Sequence, residues 1–180
     1  PRDVHGNTRT SIPAVGAHQA HLRASRLRGP VPCTECHATF TALKDPGHVD
    51  HEPGAVVFPD QPGVGVLARA QHAAPAYDAS ALGCSGVYCH GNGYRLAADQ
   101  APSLHRTPTW NVGPAEAACG TCHGLPPLHA GHRSDCALTE CADCHRPSID
   151  PEGRLVFKQD DAGPPVSRHL DGTVDIGPFP

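Results

Sequence analysis

The sequence predicts a mostly irregular fold with a few short α-helices and little or no sheet, in which attached groups take the place of a conventional hydrophobic core. The 180 residues include 19 glycines and 20 prolines, close to the share at which irregular structure dominates. Aromatic residues make up only 4% of the chain, so an apolar core would be thin. Such a chain needs covalent staples or bound groups to fold. We expect residues 1–180 to form a single domain.

Four motifs indicate where groups are attached to the chain. In each of them, a histidine directly follows the second of two closely spaced cysteines. The motifs are Cys33/Cys36/His37, Cys84/Cys89/His90, Cys119/Cys122/His123 and Cys141/Cys144/His145. Three have the spacing CxxCH, and the second has CxxxxCH. Two cysteines with an adjacent histidine are the attachment signature of c-type haem, in which the cysteines form thioethers and the histidine is the proximal iron ligand. The sequence therefore predicts a tetrahaem cytochrome with four haem c groups.

Zinc is the main alternative for paired cysteines, because two C-x-x-C pairs can form a tetrahedral thiolate site. A zinc site does not need a histidine directly after every pair, whereas haem attachment does. The wider spacing of the second motif is compatible with haem if Gly86 bends the intervening loop. Cys136 is the ninth cysteine and fits no fifth motif. We interpret it as a buried thiol or an intermolecular link, with attachment through Cys136 and Cys144 as a minor alternative.

The sixth coordination position of each iron is predicted to be histidine. The sequence contains no methionine, which excludes His/Met ligation, and ten histidines lie outside the motifs. The first choices for distal ligands are His21, His48, His132 and His169. The second choices are His18, His51, His129, His5, His72 and His105. Three pairs among these have i, i+3 spacing and so share a helix face; one member of each could bind iron while the other contacts a haem propionate.

Local patterns predict two helices besides single turns at the motifs. Residues 11–29 begin with a serine and an early proline and end at Gly29 and Pro30, which are helix start and stop signals. A second, shorter helix is expected over residues 64–72. The apolar run at residues 155–157 is too short to predict a strand.

Charge and hydropathy exclude several classes of protein. The formal net charge is −4, which argues against a strongly basic nucleic-acid-binding protein. No stretch approaches the length of about 20 apolar residues that a membrane-spanning helix needs. Because haem is attached to CxxCH sequences outside the cytoplasm, we expect the protein to be exported, to the extracellular space or cell surface or alternatively to the periplasm.

Several stretches around these motifs resemble the multihaem cytochromes with mixed CxxxxCH and CxxCH motifs that occur in bacteria respiring minerals and in their relatives. The stretches are residues 16–22 (GAHQAHL), 47–50 (GHVD), 87–91 (VYCHG), 108–110 (PTW), 119–127 (CGTCHGLPP) and 169–175 (HLDGTVD). Within them, Trp110 is interpreted as apolar packing bulk. The family pattern does not account for Cys136.

The resemblance implies electron transfer through closely packed haems, and some multihaem cytochromes polymerise into extracellular filaments. The main hypothesis is therefore an electron-transfer protein that is not an enzyme, forming a homopolymeric filament and exchanging electrons with redox partner proteins or an extracellular acceptor. His5 lies in a terminal segment that could reach a haem of the next subunit. The alternatives are a soluble periplasmic or surface electron shuttle and, less favoured, a multihaem reductase, for which an open iron position would be needed.

Overall fold

The computed structural model confirms a fold that is mostly coil, with a few short helices and very little sheet. It describes residues 2–3, 5–25, 27–42, 44–45, 55–91, 107–118, 120–127, 132–158, 166–173 and 177. The α-helices are α1 (His18–Leu22) and α2 (Cys141–His145). Single turns of 3₁₀ helix occur at Cys33–Glu35, Ala70–His72, Tyr88–His90, Pro114–Ala117 and Leu138–Glu140. The helical turns at the first, second and fourth motifs were expected.

Within the described ranges, the structure also contains two small antiparallel sheets. Strands β1 (Ala76–Asp78) and β2 (Gly83–Ser85) pair with Tyr77 opposite Cys84. Strands β3 (Phe157–Lys158) and β4 (Val166–Ser167) pair with Phe157 opposite Ser167. In the part of the chain described, no helix is long and apolar enough to cross a membrane.

The predicted helix over residues 11–29 is wrong in its length, because only the five residues of α1 are helical among those described in this range. Gly16 has a left-handed φ of 40° just before α1. The turn before α1 therefore cannot continue into α1 as one right-handed helix. The helix ends early because Arg28 folds back on it: the guanidinium donates hydrogen bonds to the carbonyls of His21 (2.9 Å) and Ala20 (3.0 Å). The carbonyl of His21 also accepts a bond from the N–H of Val31 at 2.8 Å, so residues 28 and 31 together satisfy these two carbonyls at the helix end.

The second predicted helix is also much shorter than expected. Residues 64–72 contain turns and only one 3₁₀ turn, Ala70–His72. Gln71 and His72 have left-handed φ angles of 54° and 64°, which a continuing right-handed helix does not allow. The short apolar run near residue 157 contributes one residue, Phe157, to β3.

The apolar core is small, as the composition predicts. Among the described residues, the buried hydrophobic side chains are Val15, Val64, Ala68, Val87, Ala142 and Ile149. None is aromatic or larger than isoleucine, so each contributes at most about 1.5–3 kcal/mol by burial. The described part of the chain therefore has little apolar core of its own.

Candidate haem sites

The first and second motifs are tied together by the turn at residues 65–69. Glu35 of the first motif accepts hydrogen bonds from the backbone N–H groups of Leu67 and Ala68, both at 2.9 Å. The carbonyl of Ala68 in turn accepts a bond from the N–H of Tyr88 in the second motif, at 2.9 Å. Both motifs thus hold fixed positions against one segment of backbone.

The cysteines of the motifs are free thiols wherever the structure describes them; Cys119 lies outside the described residues. Burial raises the pKa of Cys36 and of Cys89 to about 12 and that of Cys84 to about 11. Free thiols are what thioether formation requires. Cys136 is half-buried beside the fourth motif, where its sulfur and that of Cys141 approach the carbonyl of Ala137 at 3.6 and 3.7 Å.

Among the residues that the structure describes, each motif histidine faces one other imidazole of the same chain. The ring centroids of His37 and His18 are 6.1 Å apart, and those of His90 and His21 are 6.2 Å apart. In the C-terminal part of the chain, His123 faces His169 at 5.8 Å, and His145 faces His132 at 6.0 Å. The four pairs share no member.

These distances fit two imidazoles bound on opposite sides of one iron. An imidazole nitrogen bonds a transition metal at about 2 Å, so two trans rings have centroids about 6 Å apart. Aromatic contacts in general span centroid distances of about 4.5–7 Å, so the distances take their meaning from the motif histidine that is present in every pair. The residues present therefore fit haem, with one motif histidine and one partner histidine at each iron.

Backbone hydrogen bonds give several of these histidines the orientation that iron binding needs. The Nδ1 atoms of His18 and His21 bond the carbonyls of Val15 (3.0 Å) and Ala17 (2.9 Å). Nδ1 of His37 bonds the carbonyl of Val56 at 3.0 Å, and Nδ1 of His123 that of Gly124 at 2.7 Å. A carbonyl can only accept, so the proton is on Nδ1 and the lone pair of Nε2 is free for a metal.

His90 differs from these histidines because its Nδ1 is buried with no hydrogen-bond partner in the described part of the chain. Burial, followed by the neighbouring His21 and Arg28, lowers its pKa to about 4. Burial likewise lowers the pKa of His18, His21 and His169. Neutral imidazole is the form that binds a metal.

The structure brings some of the predicted distal histidines opposite a motif histidine and leaves others apart. His21, His132 and His169 each face a motif histidine, and so does His18, which was a second choice. His18 and His21 therefore face histidines of two different motifs. The expectation that one of the two contacts a haem propionate instead is not what the ring positions indicate. His5 and His72 are exposed and stand outside the four pairs. The predictions for His48, His51, His105 and His129 lie outside the described residues.

The ring planes differ between sites in a regular way. The planes of His18 and His37 make an angle of 27°, and those of His132 and His145 an angle of 19°. The other two pairs, at the second and third motifs, are crossed at 63°. The first and fourth sites therefore have near-parallel rings, and the two middle sites have crossed rings.

Neighbouring sites are in contact along the chain of motifs. The first and second sites take their partner histidines from the same helix, α1. The second and third touch through Cys122, whose sulfur lies 3.8 Å from the carbonyl of Cys89. The third and fourth are linked through Ser148, which donates its Oγ–H to the carbonyl of Arg168, next to His169, at 3.4 Å and its N–H to the carbonyl of His145 at 2.8 Å. The order of sites in space thus follows their order in sequence.

The contact between the second and third sites depends on Gly91, which has a φ of 86°. A Cβ at this position would overlap the backbone of Cys122. We expect Gly91→Ala to reduce the free energy of unfolding by about 1–2 kcal/mol for the left-handed conformation and by about 1–3 kcal/mol more for overpacking.

Gly63→Ala is the matched control for this prediction. Gly63 has nearly the same φ, 83°, but a Cβ there meets no atom within 4 Å. It should show only the conformational cost. Denaturant unfolding of both haem-loaded variants measures the difference, and equal losses would mean that the approach of Gly91 to Cys122 is unimportant.

Together, the free thiols and facing imidazoles are suited to the covalent binding of haem c. In the described residues, no group of three or more His, Cys, Asp or Glu side chains is arranged to hold a metal ion. Residues 83–123 match the family described as the Geobacter CxxxxCH...CXXCH motif. This match supports covalent haem c binding and haem-based electron transfer by a multihaem cytochrome of that kind. No curated protein and no solved structure shows a significant match to the chain.

Proposed function

We propose that this protein transfers electrons through four haem c groups, each covalently attached at one motif and bound axially by two histidines. The observation that carries the proposal is the set of four imidazole pairs with centroids 5.8–6.2 Å apart. Bound haem supplies a one-electron ferric/ferrous couple at each site. The proposed axial pairs are His37 with His18, His90 with His21, His123 with His169, and His145 with His132.

The role of the protein in this proposal is to fix, orient and connect the four sites. Backbone carbonyls on Nδ1 hold the ligand rings and increase the basicity of their Nε2 atoms, which favours low reduction potentials. The contacts through α1, Cys122 and Ser148 keep consecutive sites adjacent. Electrons can then pass from the first site to the fourth without leaving the chain.

Two histidines at every iron leave no position for a substrate, which supports a carrier rather than an enzyme. The competing hypothesis, a multihaem reductase, needs an iron with an open position. We also propose an exported protein that acts at the cell surface or outside the cell as the subunit of a cytochrome filament. The family resemblance and the exposed His5 support the filament; a soluble periplasmic or surface shuttle is the alternative.

The experiment for the electron-transfer proposal is a haem count combined with spectroscopy on the matured protein. Pyridine haemochrome analysis should give four haems per chain, and visible and EPR spectra should show only low-spin ferric haem. The low-spin state follows from two strong-field imidazole ligands at each iron. A stoichiometry below four, or a high-spin signal in the untreated protein, would contradict the proposal.

Assembly is a separate measurement on the same material. Negative-stain electron microscopy of the secreted protein should show filaments with a regular subunit repeat. Discrete small particles alone would reject the filament and leave the soluble shuttle. Neither outcome alters the haem count, so the two parts of the proposal are tested independently.

A further inference from the structure

The single tryptophan of the chain lies against both histidines of α1. The indole of Trp110 is edge-on to the ring of His18, with centroids 4.8 Å apart and an interplanar angle of 88°. It stacks on the ring of His21 at 5.6 Å and 27°. One side chain therefore contacts the partner imidazoles of two different sites.

Hydrogen bonds fix the position of this indole. Its Nε1–H donates to the carbonyl of Pro13 at 2.8 Å, 97 residues earlier in the sequence. The neighbouring Asn111 donates to the carbonyl of Ser11 at 3.3 Å. The segment around Trp110 is thus docked on the loop that leads into α1.

The same segment is attached to the second motif. The N–H of Trp110 donates to the carbonyl of Leu82 at 2.7 Å, and the N–H of Cys84 donates to the carbonyl of Pro108 at 3.1 Å. Trp110 therefore links the strand that carries Cys84 to the helix that carries His18 and His21.

Gly16 provides the space for the indole. A Cβ at Gly16 would overlap the ring of Trp110, and the φ of 40° at this position also disfavours other residues. The loop before α1 is thus shaped to receive Trp110. This arrangement is more specific than general packing would require.

We propose that Trp110 is a positioning residue that sets the ring planes of His18 and His21, the axial ligands of the first and second haems. This inference rests on the proposed function, because it assigns these histidines to iron. An edge-on contact at one ring and a stacked contact at the other restrict rotation of both rings about their Nε2 axes. The geometry keeps His18 within 27° of His37 and holds His21 crossed to His90 at 63°.

EPR spectroscopy of the oxidised protein tests this role, because the g values of low-spin ferric haem depend on the angle between its two axial imidazole planes. Near-parallel planes give rhombic signals, and crossed planes give signals with a larger maximum g. The ring angles predict two haems of each type in the unaltered protein. Each type includes one haem whose ligand contacts Trp110 and one whose ligands come from elsewhere.

Trp110→Leu should therefore shift or broaden one rhombic signal and one large-g signal, and leave the other signal of each type unchanged. The third and fourth haems act as the internal control. Trp110→Phe keeps an apolar ring and should give a smaller change at the same two haems; it carries the test if the leucine variant does not mature. Asn111→Ala removes the adjacent hydrogen bond without removing a ring contact, and should leave all four signals in place.

The outcomes distinguish a failure of this inference from a failure of the proposed function on which it rests. If the unaltered protein is fully low-spin with four haems, but the Trp110 variants retain its spectrum, the positioning role is overturned and the proposed function stands. Changes confined to the third and fourth haems overturn it equally. A high-spin signal in the unaltered protein would reject the axial assignments, and the positioning role with them.

Discussion

The polypeptide produced without haem attachment should be unfolded. The described residues bury six hydrophobic side chains, none aromatic, and each ordered residue costs about 1–2 kcal/mol of backbone entropy. Burial of so few small side chains cannot offset that cost without the haem groups. Far-UV circular dichroism of the apo chain should show a disordered spectrum and no cooperative thermal transition, whereas the matured protein should unfold cooperatively.

The ninth cysteine provides the control for this prediction. Cys136 lies beside Cys141 but belongs to no motif, so Cys136→Ser should mature with four haems and keep the cooperative transition. A cooperative transition in the apo chain would show that the polypeptide has a sufficient core of its own. Loss of haem in the Cys136 variant would instead give that cysteine a role in attachment.

Removal of either histidine from α1 should convert one haem in four to the high-spin state. His18→Ala should open the iron opposite His37, and His21→Ala the iron opposite His90, because the structure pairs these rings at 6.1 and 6.2 Å. The double variant should contain two high-spin haems. High-spin EPR intensity per chain measures each fraction directly.

Methionine at the same positions gives a second measurement. His18→Met and His21→Met should keep the haems low-spin and raise the potential of one haem each, since His/Met ligation raises haem potentials. His72→Ala is the matched control, because His72 is exposed and faces none of the motif histidines in the described pairs. A high-spin signal in that variant, or none in His18→Ala, would reject the pairing.

The helical turns at the motifs and the absence of a large core could be predicted because both depend on local sequence. Cysteine and histidine spacing fixes the motif geometry, and composition limits the available apolar surface. The choice between His18 and His21 could not be made in this way. Residues three apart share a helix face, and only the tertiary structure shows that two motifs approach that face from different directions.

The length of α1 and the position of Trp110 could not be predicted from the sequence, for a related reason. The helix ends at Leu22 because Arg28 binds its last carbonyls, which start and stop signals do not reveal. The Trp110 indole reaches Pro13 across 97 residues. Neither contact leaves a periodic pattern in the sequence.

The ring planes are near-parallel at the two outer sites and crossed at the two inner sites. The order of ring angles is therefore the same whether it is followed from the first motif or from the fourth. Ligand orientation affects the electronic structure of a haem, so this symmetry bears on electron flow. In the proposed carrier, ligand geometry by itself therefore gives electrons no downhill direction. The direction of the current would be imposed from outside, by whichever end of the chain meets the donor.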